Sequence, residues 1–256
     1  MNEESAFLLA KEHPSDHLTM SQTVNHTSRY AIYLCPRLQS PLYQLGSGWL
    51  GRDPFTGEDL DPALPNGLPL EEWSSATESP RRYGFHATLK PPFRLAEDAV
   101  YNDLLGAACA FAKRYAAFEA PPLQVGTLGR FLALVLSQPS AELSEFAAAC
   151  VSEFDRFRAP AGPRELALRL NGSLSPRERE HVYRWGYPYV FDTWKFHMSL
   201  TGSLAAETLP QFEEILAERF TSVCSGPMVV DSICIFHEAS AGSPFHLIDR
   251  LDLRPE

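Results

Sequence analysis

The sequence carries one five-residue string twice, Phe85-His86-Ala87-Thr88-Leu89 and Phe196-His197-Met198-Ser199-Leu200. In an extended strand successive side chains alternate between faces. His86 and Thr88 therefore share one face of their strand, as His197 and Ser199 do of theirs, and the flanking apolar residues take the other. Each string opens the same series of elements. After the first, Ala99, Val100, Leu104, Ala108, Phe111, Ala112 and Tyr115 recur at steps of three and four, as in an amphipathic helix. Strands are then expected over Leu123 to Leu128 and Phe131 to Ser137, around a Gly129-Arg130 turn. After the second, a helix is expected from about Pro210 to Phe220, with strands over roughly Met228 to His237 and Phe245 to Leu253. The spacing from motif to next strand is similar, 37 residues from His86 to Leu123 and 31 from His197 to Met228. This repeated order predicts an α+β fold that is bilobal, with two pseudo-symmetric antiparallel-sheet-plus-helix lobes around a central cleft.

The remaining chain divides by composition. Residues 1–28 are polar and aperiodic and read as a flexible tail, leaving 29–256 as one bilobal domain. A strand is expected over Arg29 to Leu34, stopped by Pro36, and a short helix around Leu42 to Leu50. The stretch from Gly46 to Pro80 is dense in Gly, Pro, Asp and Ser and reads as a long loop, of the kind that forms lids and rims. Leu143, Phe146, Ala147, Cys150, Val151, Phe154 and Phe157 mark a further helix. Ser175-Pro176-Arg177-Glu178 has the form of a capping box opening a short helix that ends near Trp185-Gly186. The five cysteines are odd in number and form no C-x-x-C pair, which predicts reduced, buried thiols rather than a disulfide frame or zinc cluster. No apolar run approaches the roughly 20 residues a bilayer needs. The first residues also lack the basic start and long apolar core of a secretory signal. A cytoplasmic protein without membrane contact is expected.

Two motif strands facing one cleft present two imidazoles and two hydroxyls to a small volume. That set suits phosphoester chemistry. One imidazole takes a proton from the nucleophile and the other gives one to the leaving oxygen. The hydroxyls of Thr88 and Ser199 can hydrogen-bond the non-bridging phosphate oxygens. Which histidine is base and which acid depends on how the substrate lies. The bare four-residue pattern is not enough, since His17-Leu18-Thr19-Met20 repeats it by chance in the polar N-terminal segment. With 22 Lys+Arg against 32 Asp+Glu, the net charge of −10 opposes a long polyanion, which needs a basic track. It leaves room for a local site that binds a small phosphorylated metabolite. Metal hydrolases carry His and carboxylate ligands at short spacing, such as H-E-x-x-H, and none occurs here, so no metal or cofactor is expected. The alternatives are a non-catalytic module that binds a cyclic nucleotide or phosphorylated sugar, and an RNA-end cyclic phosphodiesterase.

The paired H-x-[TS]-hydrophobic strands resemble the two-histidine phosphoesterase superfamily, which includes RNA ligase-like cyclic phosphodiesterases. Three segments are similar to its branch associated with phosphonate metabolism: Tyr83-Gly84-Phe85-His86-Ala87-Thr88-Leu89-Lys90-Pro91-Pro92-Phe93, Trp185-Gly186-Tyr187-Pro188-Tyr189-Val190 and Phe196-His197-Met198-Ser199-Leu200-Thr201-Gly202. The resemblance covers roughly Tyr30 to the C-terminus. The second motif has Ser199 where Thr is common, which keeps the hydroxyl. The resemblance implies a bilobal fold, metal-independent catalysis by His86 and His197, and attack on a cyclic phosphate or related phosphodiester. A phosphoribosyl cyclic phosphate from carbon–phosphorus bond breakdown is the substrate it suggests.

Other residues extend the candidate site. Lys90 lies two positions after Thr88 and would share the His86 face if Pro91 does not disturb the alternation. Lys195 lies two before His197. Both either supply positive charge to the substrate or are solvated strand ends. Tyr83 is one step off the face but precedes Gly84. Trp185, Tyr187 and Tyr189 form an aromatic loop that either stacks on a ribose or base, or covers core. Arg52, in the long loop, can close over the site. Arg130 reads as an exposed turn arginine, His181 as a surface residue, and His237 and His246 as structural.

Overall fold

The computed structural model describes residues 27–254. The expected tail over 1–28 and its chance motif at His17 therefore lie outside the described residues, apart from Thr27 and Ser28. The chain begins with β1 (Arg29–Leu34) and α1 (Pro41–Leu50), and α2 (Leu70–Tyr83) leads into the first motif strand β2 (Ala87–Phe93). Helix α3 (Tyr101–Ala112) follows, then β3 (Phe118–Ala120) and the hairpin β4 (Leu123–Leu128) and β5 (Phe131–Leu136). Three helices, α4 (Ala141–Phe154), α5 (Pro163–Leu170) and α6 (Pro176–Trp185), precede the second motif strand β6 (Met198–Ser199). The chain then runs through α7 (Leu209–Phe220), β7 (Met228–Val230), β8 (Ser232–Glu238) and β9 (Phe245–Asp252).

The architecture is α+β and its sheets are antiparallel. Seven strands form one sheet in the order β4-β5-β6-β2-β1-β8-β9, and β3 pairs with β7 in a small second sheet. The large sheet divides between β6 and β2, the two motif strands. On one side β6, β5 and β4 carry α7; on the other β2, β1, β8 and β9 carry α3 and α4. In element order and strand pairing, β2-α3-β3-β4 corresponds to β6-α7-β7-β8, with β2 paired to β6 and β3 to β7. The strands that follow each helix cross over: β4 and β5 complete the lobe of the second motif, and β8 and β9 that of the first. Each lobe thus needs strands from the other half of the sequence. The principal core fills the side of the sheet under the helices, with Ile32, Leu34, Leu89, Leu132, Leu134, Met198 and Ile233 among its buried residues. A smaller cluster around Ala31, Tyr33, Phe236 and Phe245 lies on the alternate face.

The expected loop from Gly46 to Pro80 holds a 14-residue helix, α2. Trp73, Ala76, Thr77 and Pro80 form its buried face at helical steps, Glu71 and Glu72 sit in its first turn, and Arg81 and Arg82 sit in its last, an arrangement that complements the helix dipole. Pro80, in the last turn of α2, cannot donate to the carbonyl four residues back. That carbonyl, of Ala76, instead accepts from the Gly202 amide at 2.6 Å, which ties α2 to the exit of the second motif. Residues 52–59 do not form a lid. Arg52 is 4 % exposed, donates to the Phe245 carbonyl at 2.9 Å and contacts His246, pinning this turn against β9. His181 is likewise 2 % exposed rather than on the surface. Its Nδ1 lies 3.2 Å from the Pro188 carbonyl and 3.1 Å from Thr193 Oγ1, so it braces the 186–193 loop. All five cysteines are free, with Cys35, Cys150 and Cys234 buried. Among the described residues no helix is long and apolar enough to cross a membrane.

Candidate active site

Strands β2 and β6 meet through a single pair, Ala87 opposite Met198. Both side chains are buried on the helix-covered face. An antiparallel register about that pair sets His86 beside Ser199 and Thr88 beside His197, all on the opposite face. The four residues thus form a square at the level of the Cα register, the histidine of each motif opposite the hydroxyl-bearing residue of the other. All four line one cleft of about 730 Å³. A second cavity, of about 490 Å³, lies on the reverse face of the sheet around Leu34, Leu123 and Met198 and holds no imidazole.

The histidines are held in the same way. His86 Nδ1 is 2.9 Å from the carbonyl of Gly84, and His197 Nδ1 is 2.8 Å from the carbonyl of Lys195, each two residues upstream. A carbonyl only accepts, so Nδ1 carries the proton in both neutral rings and Nε2 is left to exchange protons. For His86, Nε2 is 3.3 Å from Thr88 Oγ1. Gly84 makes this hold possible. Its φ of 77° turns the chain from α2 into β2, and a Cβ there would lie 2.6 Å from Pro54.

The two environments differ. His86 stacks on Tyr33 with ring centroids 3.7 Å apart, and Tyr83 and Phe236 pack around it at 6.4 and 5.9 Å. This apolar wall disfavours the imidazolium and lowers the His86 pKa from 6.5 to about 4; the Gly84 carbonyl opposes the shift and the charge of His197 adds to it. His197 meets the edge of Phe131 at 5.8 Å on the more open side.

The supporting residues divide. Tyr83 and Tyr189 line the cleft, together with Tyr187 and Pro188. Lys90 does not. Tyr33 pairs with Thr88 but Ile32 pairs with Lys90, so Leu89 is an extra residue and the bulge reverses the alternation. The Lys90 ammonium lies buried beneath α4, donating to Asp155 Oδ1 at 3.0 Å and the Val151 carbonyl at 3.3 Å. The Lys195 side chain is exposed and outside the cleft lining, because β6 begins only at Met198 and strand alternation does not extend back to it. Its contribution is the carbonyl on His197. Trp185 packs on Phe191 at 4.8 Å, and neither it nor Arg52 is among the cleft-lining residues.

Several lining residues were not singled out from sequence: Arg29, Tyr33, Phe131, Arg169 and Thr201, with the 171–174 turn. Tyr33 lay in an expected strand, but only the β1–β2 register brings it over His86. Arg169 had a local signal, the Glu165–Arg169 i,i+4 pair of a helix that starts with Pro163.

A family model described as "Protein of unknown function (DUF1045)" matches residues 88–246. A protein named ribose 1,5-bisphosphate phosphokinase PhnN from Janthinobacterium sp. (strain Marseille) is 39% identical over 222 residues, covering 85% of this chain and 49% of that protein. Its namesake from Laribacter hongkongensis (strain HLHK9) is 37% identical over 223 residues, covering 86% and 50%. The chain spans about half the length of these curated relatives. Among solved structures, E. coli LigT complexed with 3'-AMP aligns with a TM-score of 0.40 at 14% identity, covering 89% of this chain and 99% of that one. A conserved protein of unknown function from Agrobacterium tumefaciens aligns with a TM-score of 0.39 at 15% identity, covering 93% and 94%.

Proposed function

The chain belongs to the DUF1045 family, and we propose that it is a metal-independent phosphoesterase of the two-histidine type that opens a cyclic phosphate of a small metabolite. The observation that carries this reading is the matched pair of imidazoles, each anchored through Nδ1 by the carbonyl two residues upstream, lining one cleft with Thr88 and Ser199. His86, with a pKa of about 4, is neutral near pH 7 and ready to accept a proton. In the proposed step its Nε2 takes a proton from water as the new P–O bond forms. The bond to the leaving ring oxygen breaks, and that oxygen takes the Nε2 proton of His197, which enters the step as the imidazolium and leaves it neutral. Thr88 and Ser199 donate to the non-bridging oxygens. The product is a phosphate monoester bearing a free neighbouring hydroxyl, and proton return through water restores both rings. Among the described residues no three His, Cys, Asp or Glu side chains gather as a metal-binding group.

The curated relatives support a substrate. They are named for a kinase of ribose 1,5-bisphosphate, and this chain accounts for about half of each. None of its four lysines follows a glycine, so it has no P-loop of the G-x-x-x-x-G-K-[ST] form. Opening a 5-phosphoribosyl 1,2-cyclic phosphate at O2 yields ribose 1,5-bisphosphate. A diesterase of this kind would supply the compound in the relatives' name, in line with the phosphonate-breakdown context that the family resemblance implies. The test is a screen of purified, chelator-treated protein against phosphoribosyl and ribonucleoside cyclic phosphates. Turnover of the phosphoribosyl compound is expected. Binding without turnover of any cyclic phosphate would establish a ligand-binding module instead, and activity restored only by added metal would establish a metal hydrolase.

A further inference from the structure

Resting on the phosphoesterase reading, we propose that Arg169 holds a second, non-reacting phosphate, so that the substrate is a cyclic phosphodiester that also bears a phosphate monoester. Two arginines line the cleft, Arg29 and Arg169, and each shares one carboxylate with another arginine. Glu165 accepts from Arg169 Nη2 at 2.8 Å and from Arg94 Nη2 at 3.2 Å. Glu238 accepts from Arg29, Arg82 and the Gly242 amide. Each group has two positive charges against one negative, so each leaves a net charge of +1 in a chain whose total is −10. Positive charge is thus concentrated at the cleft wall, where it can focus an anion.

The two arginines differ in what they have left to give. Arg29 is fixed on a carboxylate that is fully buried and lies over the Phe245 ring at 5.5 Å. Arg169 is held by Glu165 through one terminal nitrogen, and among the described residues its Nε and Nη1 make no hydrogen bond. A guanidinium tethered at one end with its remaining donors open matches the oxygens of a phosphate monoester, which it can grip through two parallel hydrogen bonds. Its place argues against a role at the reacting phosphorus. Arg169 instead bears on Tyr187, on the wall formed by the 186–193 loop. The 171–174 turn follows α5 directly and lines the same side. Scissile and remote groups therefore have separate donors, the histidine–hydroxyl square for one and Arg169 for the other.

The test compares ribose 1,2-cyclic phosphate with and without a 5-phosphate, using the wild-type chain, Arg169→Gln and Arg169→Lys, and measures ribose 5-phosphate binding calorimetrically. The wild type is expected to favour the 5-phosphorylated compound at least about 10-fold in kcat/KM. Arg169→Gln should lose that preference through KM, leave the unphosphorylated substrate within about twofold and abolish ribose 5-phosphate binding; Arg169→Lys should recover part of it. Equal losses on both substrates, or no preference in the wild type, would overturn the subsite. If neither compound is turned over but ribose 5-phosphate binds in a manner that depends on Arg169, the phosphoesterase reading fails and the phosphate subsite stands.

Discussion

The depressed pKa of His86 couples the candidate site to stability, and the size of the coupling follows from the packing. Tyr33, Tyr83 and Phe236 wall the ring, and its pKa falls from 6.5 to about 4. In the unfolded chain the ring returns to about 6.5, so between these values the unfolded state binds more protons than the native one. Stability therefore rises with pH in this window. The His86 contribution is complete above pH 6.5 and is lost progressively as pH falls to 4. A shift of this size corresponds to about 3 kcal/mol at about 1.4 kcal/mol per unit. Urea denaturation of the wild type and of His86→Gln at pH 7.5, 5.5 and 4 isolates the term, because the other titrating groups are common to both. The wild type should lose about 3 kcal/mol relative to the variant between pH 7.5 and 4. The same ring should set the acid limb of kcat/KM, with its midpoint near 4 rather than 6.5. Parallel stability curves for the two proteins, with an acid limb centred at 6.5, would refute the claim that packing holds His86 neutral.

Other perturbations separate site from scaffold. Thr88→Val removes the hydroxyl 3.3 Å from His86 Nε2 and should lower kcat by about 10²-fold while leaving the urea midpoint nearly unchanged; a kinetic effect below threefold would remove Thr88 from the site. Lys90→Met should leave kcat/KM within about twofold and cost no more than about 2 kcal/mol, because Asp155 keeps its two bonds to Arg158 at 2.8 and 3.1 Å; a tenfold kinetic loss would return Lys90 to the cleft. At Gly46 a Cβ would lie 2.3 Å from the Phe85 ring, so Gly46→Ala should cost about 1–3 kcal/mol and disturb the residue next to His86; thermal melts indistinguishable from wild type would show that α1 does not pack tightly there.

Much of the fold was legible because its elements are patterned locally. Strand β1, the β4–β5 hairpin and the capping box of α6 all carry their signals within a few residues. Local patterns also gave the two histidines and hydroxyls, since period-two alternation alone puts His86 with Thr88. What was not legible depends on pairing between distant segments. The bulge at Leu89 that turns Lys90 into the core is a property of the β1–β2 register, not of the β2 sequence. Helix α2 lies in a stretch whose density of Gly, Pro, Asp and Ser reads as loop, and the carbonyl that Pro80 leaves without its helical donor is met by the amide of Gly202, about 120 residues away. His181 sits among Arg and Glu in sequence, and only the return of the 186–193 loop buries it. Interlocking of the lobes was similarly out of reach, because a repeated element order does not say which lobe receives the later strands.

The central claim is that His86 and His197 form one acid–base pair. Single-turnover hydrolysis of a phosphoribosyl cyclic phosphate by the wild type, His86→Ala, His197→Ala and the double variant tests it directly. Each single substitution should cut the rate by roughly 10²–10⁴-fold. The double variant should be little worse than the poorer single one, as for groups that act together. Full hydrolysis by either single variant, with the fold intact, would contradict the account.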